Sequence, residues 1–184
     1  MLNEVTLAGF GGQGIMTTGK FLAEAALEQG HEVAWVPSYG PEMRGGTAYC
    51  TVVISDRPVG SPIVNTPNII VAMNLPSYEK FENAVKPGGL LLINSSLMDV
   101  RSERTDITQV HIPCNQISID LSGSGRSANI SVLGALIGCT NLLPWESIER
   151  VVTEKFAKKP KVLEMNLKIL RRGYDLGVEG LKGS

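Results

Sequence analysis

The sequence predicts an α/β domain built on a mostly parallel sheet, and three observations carry that prediction. Val5–Ala8, Asn68–Met73 and Leu90–Ile93 are short, nearly continuous apolar runs, as expected of strands buried on both faces. Segments with helical spacing of apolar residues alternate with them along the chain. Glycine- and proline-rich turns separate the two kinds of segment. The composition agrees: 184 residues, 43% hydrophobic and 19% charged, suit one globular domain rather than a disordered chain.

The first strand, Val5–Ala8, is broken by Gly9-Phe10-Gly11-Gly12-Gln13-Gly14. A helix over Ile15–Gln29 follows, with Ile15, Phe21, Leu22, Ala25 and Ala26 at helical spacing and Gly30 as its C-cap. A strand, a glycine loop and a helix in this order aim backbone N–H groups and the positive end of a helix dipole at one spot. Glycines admit an anion to that backbone, where a Cβ would crowd it. Gly9, Gly11 and Gly14 satisfy the dinucleotide pattern G-x-G-x-x-G. That pattern calls for an acidic residue about 20 positions on, at the end of the second strand. Here the second strand, Glu32–Val36, runs into Pro37-Ser38-Tyr39 with no carboxylate. No Lys-Ser or Lys-Thr pair follows the last glycine, so the loop is not a Walker A motif either. The loop is read as a seat for a phosphate or carboxylate, or as a tight turn that binds nothing.

Pro37–Gly46 reads as a shaped loop. It brings Tyr39, Glu42, Met43 and Arg44 close together, and Arg44, beside Gly45 and Gly46, either clamps an anion bidentately or pairs with Glu42. Thr47–Ile54 is a β-branched strand, with a short return strand expected from Pro58-Val59 and a loop over Gly60–Pro67. A helix over Pro76–Val85 ends at Lys86-Pro87-Gly88-Gly89. Leu90–Ile93 closes on Asn94-Ser95-Ser96, small polar side chains for a ligand, a neighbouring subunit or a local turn. Ligands of parallel sheets sit at the carboxyl ends of the strands, so the candidate loops are Gly9–Gly14, Pro37–Gly46 and Asn94–Leu97.

After a polar excursion over Met98–Thr108 come a last strand, Gln109–Ile112, a short helix, Asn115–Leu121, and a turn at Ser122–Gly125. Ala128–Cys139 is an uncharged, largely apolar helix whose Gly134 and Gly138 predict close packing against another helix or another subunit. Exposed in an isolated chain, that helix would favour a homo-oligomer. Two amphipathic helices end the sequence. The first starts at Leu143-Pro144-Trp145 and runs to Lys158, with Ile148, Val151, Val152 and Phe156 inward. The second, Pro160–Leu176, has Leu163, Leu167, Leu170 and Tyr174 on one face and its lysines and Arg171-Arg172 in water.

A net charge of −1 gives no general attraction to nucleic acid or an acidic membrane. There is no signal-peptide pattern and no apolar run near the roughly 18 residues needed to span a bilayer, so a cytoplasmic protein is expected. Cys50, Cys114 and Cys139, like His31 and His111, lack metal-ligand spacing and read as buried thiols and strand-edge histidines. No nucleophile–base pair, metal cluster or acid/base dyad attaches to the glycine loop. The chain reads as a binding or assembly subunit that shapes part of another chain's site.

The residues resemble the gamma subunit of ferredoxin-dependent 2-oxoacid oxidoreductases. The similarity runs through Gly11-Gly12-Gln13-Gly14-Ile15, Ser38-Tyr39-Gly40-Pro41-Glu42-Met43-Arg44-Gly45-Gly46, Lys86-Pro87-Gly88-Gly89 and Ile93-Asn94-Ser95-Ser96. It continues with Arg126-Ser127-Ala128-Asn129, Leu133-Gly134-Ala135-Leu136, Glu164-Met165-Asn166 and Gly173-Tyr174, in order over nearly the whole chain. The resemblance implies a Rossmann-like three-layer domain, non-catalytic in itself. It would pack on the alpha and beta subunits, and on a delta subunit where one is present, in a cytoplasmic complex. That complex decarboxylates a 2-oxoacid on thiamine diphosphate, passes electrons through iron–sulfur clusters to ferredoxin and transfers the acyl group to coenzyme A. Thiamine diphosphate and clusters then belong to the partner subunits, and coenzyme A is the co-substrate whose approach this chain helps form. On that reading the cofactor-binding residues are Gly11, Gly12, Gln13 and Gly14, with Arg44, Gly45 and Gly46 nearby. Glu42-Met43-Arg44-Gly45-Gly46 is more similar to 2-oxoglutarate-type subunits than to pyruvate-type ones, with branched-chain and indolepyruvate enzymes open. A stand-alone nucleotide-binding protein and a purely structural scaffold are the other two classes.

Overall fold

The computed structural model describes residues 1–39 and 47–182. Six strands form one sheet: β1 (Leu2–Phe10), β2 (Glu32–Tyr39), β3 (Thr47–Ser55), β4 (Ile69–Ala72), β5 (Leu90–Asn94) and β6 (Thr108–Ile112), in the spatial order β2-β3-β1-β4-β5-β6. The β1–β4, β4–β5 and β5–β6 pairs are parallel, while β3 runs antiparallel between β2 and β1. The sheet is mostly parallel, as the continuous apolar runs predict. β4 and β5 are buried along their whole length, because both of their faces are covered.

One face carries α1 (Ile15–Glu28), α3 (Cys114–Ser122), α4 (Ala128–Thr140), α5 (Trp145–Phe156) and α6 (Pro160–Lys182). They enclose the main core with Val5, Leu7, Val71, Leu92 and Ile112 of the sheet. The opposite face is covered by α2 (Leu75–Phe81), a 3-10 turn at Glu82–Ala84 and the excursion before β6. There Tyr78, Val85 and Met98 pack on Ile70, Ala72, Leu91 and Ile93. The period-2 alternation of side chains along β4 and β5 thus feeds two cores and makes the domain three-layered.

Four expectations are corrected. β2 does not stop at Val36 but continues to Tyr39, with Pro37 opposite Cys50 of β3. β2 is an edge strand, where proline's missing N–H costs nothing. No return strand forms at Pro58-Val59, since both edges of β3 are already occupied by β2 and β1. The helix expected over Pro76–Val85 divides into α2 and the 3-10 turn. The fully buried face of α6 is Asn166, Ile169, Leu170, Gly173 and Gly177, rotated from the predicted stripe, of which Leu170 is fully buried and Leu167 and Tyr174 pack half-buried on the core. Leu167 and Leu176, packed on the edge of the core, also line a groove of about 640 Å³ between α3 and α6.

That rotation follows from how α6 meets α4. A Cβ at Gly134 or Gly138 of α4 would collide with the carbonyl oxygens of Leu170 and Tyr174. A Cβ at Gly173 or Gly177 of α6 would collide with those of Ser131 and Ala135. Glycines therefore face backbone from both sides, and the close packing predicted for the apolar helix is internal to this chain. Ten of the 13 residues of α4 are buried, which removes the reason to expect a homo-oligomer from its exposure. Cys50, Cys114 and Cys139 are buried, and burial pushes each thiol up to about 12.

Candidate functional site

The glycine loop leaves β1 at the carboxyl edge of the sheet and turns into α1. Its turn is closed at both ends by Gln13. The Gln13 N–H donates to the Phe10 carbonyl at 3.1 Å, and Gln13 Oε1 accepts the Phe10 N–H at 2.7 Å. A Cβ at Gly9 would lie 2.6 Å from that Oε1, so the first glycine of the motif makes room for the folded-back carboxamide. Gly12 has φ +93° and Gly14 φ +74°, the left-handed region that favours glycine. Gly11 and Gly12 are exposed, and a Cβ at Gly12 would meet nothing within 4 Å. Among the described residues the N–H groups of Gly11, Gly12 and Gly14 find no acceptor. These three donors stand beside the first turn of a 14-residue helix, the arrangement that suits an anion at a helix N-terminus.

Gly14 is the N-cap of α1 and has no side chain to cap with. Asn129, at the start of α4, packs there instead: a Cβ on Gly14 would lie 2.7 Å from its carboxamide. The Thr18 hydroxyl joins the two helix starts, donating to the Gly14 carbonyl at 3.1 Å and lying 3.3 Å from the Asn129 carbonyl. Asn129, the last residue of the Arg126–Asn129 run and far away in sequence, is thus brought against the glycine loop.

A cavity of about 230 Å³ opens at the loop, lined by Phe10, Gly11, Gly12, Gly14, Ile15, Met16, Tyr39 and Ala48. Ligand sites for whole drug-sized molecules run from about 300 Å³ upward, so this one suits a phosphate-sized group or a short segment of a larger ligand. Tyr39 and Ala48, paired where β2 ends and β3 begins, form its wall, and Tyr39 is 65% exposed. Tyr39 belongs to the second candidate loop; Arg44, Gly45 and Gly46, with Glu42 and Met43, lie outside the described residues.

The third candidate loop is a structural staple. Asn94 is fully buried; its Nδ2 donates to the Met73 carbonyl at 3.2 Å and to Asn115 Oδ1 at 2.8 Å. Its Oδ1 accepts the N–H groups of Ser96 at 3.3 Å and Cys114 at 3.1 Å. Every polar atom of the Asn94 side chain is used internally, as a local turn requires, while Ser95 stays exposed. The sequence reading passed over Asn74, which caps α2 and donates to Gln13 Oε1 at 3.0 Å. An Asn just before Leu75-Pro76 is a readable cap signal, but its bond to a residue 61 positions earlier depends on the strand order.

The topology also bears on the nicotinamide reading. In the dinucleotide fold the second strand lies beside the first and presents its acidic end to the ribose. Here β3 stands between β1 and β2, which moves the end of β2 roughly 10 Å away. Histidine positions are equally ordinary: His31 Nδ1 lies 3.2 Å from Asp56 Oδ1, and His111 Nε2 lies 2.9 Å from the Val100 carbonyl. Among the described residues no group of three or more His, Cys, Asp or Glu side chains is placed to hold a metal ion, and no helix is long and apolar enough to cross a membrane.

Comparison with known proteins places this architecture. The family model for pyruvate ferredoxin/flavodoxin oxidoreductase matches residues 4–176. The chain is 41% identical over 182 residues to ketoisovalerate oxidoreductase subunit VorA of Methanothermobacter marburgensis, covering 98% of this chain but only 37% of that relative. It is 36% identical to 2-oxoglutarate synthase subunit KorC of Methanocaldococcus jannaschii, covering 97% of this chain and 96% of that one. Among solved structures, the keto/oxoacid ferredoxin oxidoreductase gamma subunit from Geobacter sulfurreducens superposes with a TM-score of 0.87 at 27% identity, over 98% of both chains. The 2-oxoglutarate:ferredoxin oxidoreductase from Magnetococcus marinus, with 2-oxoglutarate, coenzyme A and succinyl-CoA bound, gives a TM-score of 0.87 at 28% identity. That match covers all of this chain and 31% of the other. On the match over residues 4–176, the chain belongs to the pyruvate ferredoxin/flavodoxin oxidoreductase family.

Proposed function

We propose that this chain is the gamma subunit of a 2-oxoacid:ferredoxin oxidoreductase complex acting on 2-oxoglutarate, and that its glycine loop receives coenzyme A. The observation that carries the subunit assignment is the end-to-end match to KorC, which spans nearly all of both chains. In this reading the chain packs on alpha and beta subunits, with a delta subunit where the complex has one. Decarboxylation on thiamine diphosphate and electron flow through iron–sulfur clusters to ferredoxin take place in those partners.

The coenzyme A assignment rests on the chemistry of the loop. The N–H groups of Gly11, Gly12 and Gly14 suit one phosphate group of coenzyme A, and Tyr39 offers an exposed aromatic face beside them. Gln13 contributes by shaping the loop. Arg44, Gly45 and Gly46 belong to the proposal on sequence alone, as a bidentate clamp and the backbone next to it. The relative of known structure with coenzyme A bound supports the ligand class.

A second substrate reading has its own observation: identity to the ketoisovalerate subunits, 41% and 40%, exceeds the 36% to KorC, which favours a branched-chain 2-oxoacid. Affinity capture from native lysate, followed by coenzyme A-dependent reduction of ferredoxin or a viologen dye, tests all of this. Co-purified thiamine- and cluster-bearing subunits are expected, with highest activity on 2-oxoglutarate. Preference for 3-methyl-2-oxobutanoate would establish the second reading, and a chain captured alone and inactive on every 2-oxoacid would overturn both.

A further inference from the structure

We propose that Asn74 is a positioning residue for the anion seat, acting through Gln13; the inference rests on the reading of the glycine loop as the coenzyme A seat. Asn74 lies where β4 ends, and parallel pairing of β4 with β1 places that end beside the start of the loop, with the Met73 N–H on the Ala8 carbonyl at 2.9 Å. Asn74 is 2% exposed and lines no part of the cavity at the loop. Its carboxamide serves two elements at once. Oδ1 accepts the Ser77 N–H at 3.0 Å and caps α2, while Nδ2 donates to Gln13 Oε1 at 3.0 Å.

Gln13 Oε1 therefore receives two donors, Asn74 Nδ2 and the Phe10 N–H, which together use its two lone pairs. A flipped carboxamide would turn an N–H₂ toward both donors, so the orientation is locked. With Gln13 fixed, both polar groups of the Phe10 backbone are occupied by Gln13, and the residues left over are Gly11 and Gly12. Their N–H groups find no acceptor among the described residues, so they stay available to a ligand in a loop already fixed. Donors fixed in advance bind an anion more tightly than donors that must first be ordered. Removing the Asn74 donor leaves Gln13 Oε1 with one partner and lets the loop sample other shapes. Coenzyme A affinity then falls although Asn74 never touches it.

A plain structural role for Asn74, as the cap of α2, makes a different prediction, and two substitutions separate the roles. Asn74→Asp keeps a good capping acceptor but presents an oxygen to Gln13 Oε1, and Asn74→Ser keeps a cap and leaves Gln13 without that partner. In the assembled complex both variants are expected to raise the KM for coenzyme A about five- to tenfold, the loss of roughly one hydrogen bond. The KM for the 2-oxoacid and kcat should stay within about twofold of the parent. Gly12→Asp, which places a carboxylate in the seat itself, is measured alongside. A coenzyme A KM raised by Gly12→Asp but unchanged in both Asn74 variants would overturn the inference alone. An unchanged value in all three would overturn the seat and the inference with it. Coenzyme A and 2-oxoacid parameters worsening together, or failure of both Asn74 variants to assemble, would place Asn74 in the fold rather than the seat and overturn the inference as well.

Discussion

Glycine is used for opposite physical reasons at two places in this domain. Between α4 and α6, Gly134, Gly138, Gly173 and Gly177 are needed because no side chain fits: each faces a backbone carbonyl of the other helix. In the loop after β1, Gly12 has open space around it, and its value lies in a positive φ and an unobstructed N–H. The first set lets two helix backbones meet at close range. Gly12 adds no packing, and in the proposed reading it presents a donor to an incoming group. A glycine motif therefore says nothing about function until it is known which of the two jobs its residues do.

The sharpest way to break the comparison is to add volume to both regions. Gly134→Val should be the most damaging change, because the helix pair must separate; a loss above about 4 kcal/mol, or no recoverable folded protein, is expected in denaturant titration. Gly12→Asp should instead leave a folded chain, with a backbone penalty of about 1 kcal/mol for the positive φ, and raise the coenzyme A KM by tenfold or more. Equal effects of the two changes on stability would erase the distinction.

Gly14→Ala lies between these cases, since Gly14 has both a positive φ and a close neighbour. It should cost about 1–2 kcal/mol, part of which Asn129→Ala restores by removing the carboxamide a Cβ would strike. Additive effects in the double variant would show that Asn129 does not brace the loop.

The thiols give a smaller, chemical test of the closed core. At pH 8 the folded protein should show almost no reaction of Cys50, Cys114 and Cys139 with a thiol reagent, because burial pushes each up to about 12. All three should react once guanidinium unfolds the chain. Fast labelling of Cys139 without unfolding would mean that α4 and α6 separate easily.

The smallest effect expected is at the surface. Arg104 donates to Asp106 through Nε at 2.9 Å and through the terminal nitrogen at 2.7 Å, and this hydrogen bond holds the Asp106 carboxyl below its ordinary value. A carboxyl with a lowered folded value contributes stability above its unfolded value and loses it as pH falls through the folded one. The melting temperatures of the parent and Asp106→Asn should therefore differ slightly at pH 6 and converge toward pH 3. A constant gap over that range would remove the ion pair from the account.

The sequence revealed most of what depends on local pattern. β4 and β5 were legible because both faces are buried, and α4 because Gly134 and Gly138 are one helical turn apart. The glycine loop was legible from spacing, and the buried state of the cysteines from their isolation in sequence. What was not legible depends on strand order. Pro37 looked like a strand terminator, because only the sheet shows that β2 is an edge. Inserting β3 beside β1, the contact of Asn129 with Gly14 and the bond from Asn74 to Gln13 all join residues far apart in the chain. Gln13 was read as a ligand contact, whereas its carboxamide oxygen is taken up by Phe10 and Asn74. Periodicity reports which face of an element is buried, and strand order decides which loops meet.

The most direct test of the central claim is a structure of the assembled complex with coenzyme A at saturating concentration. The account predicts a phosphate oxygen of coenzyme A within about 3 Å of the Gly11 and Gly12 nitrogens, with Gln13 still folded back onto Phe10. Coenzyme A bound elsewhere, with the glycine loop covered by a partner subunit or facing empty solvent, would contradict it.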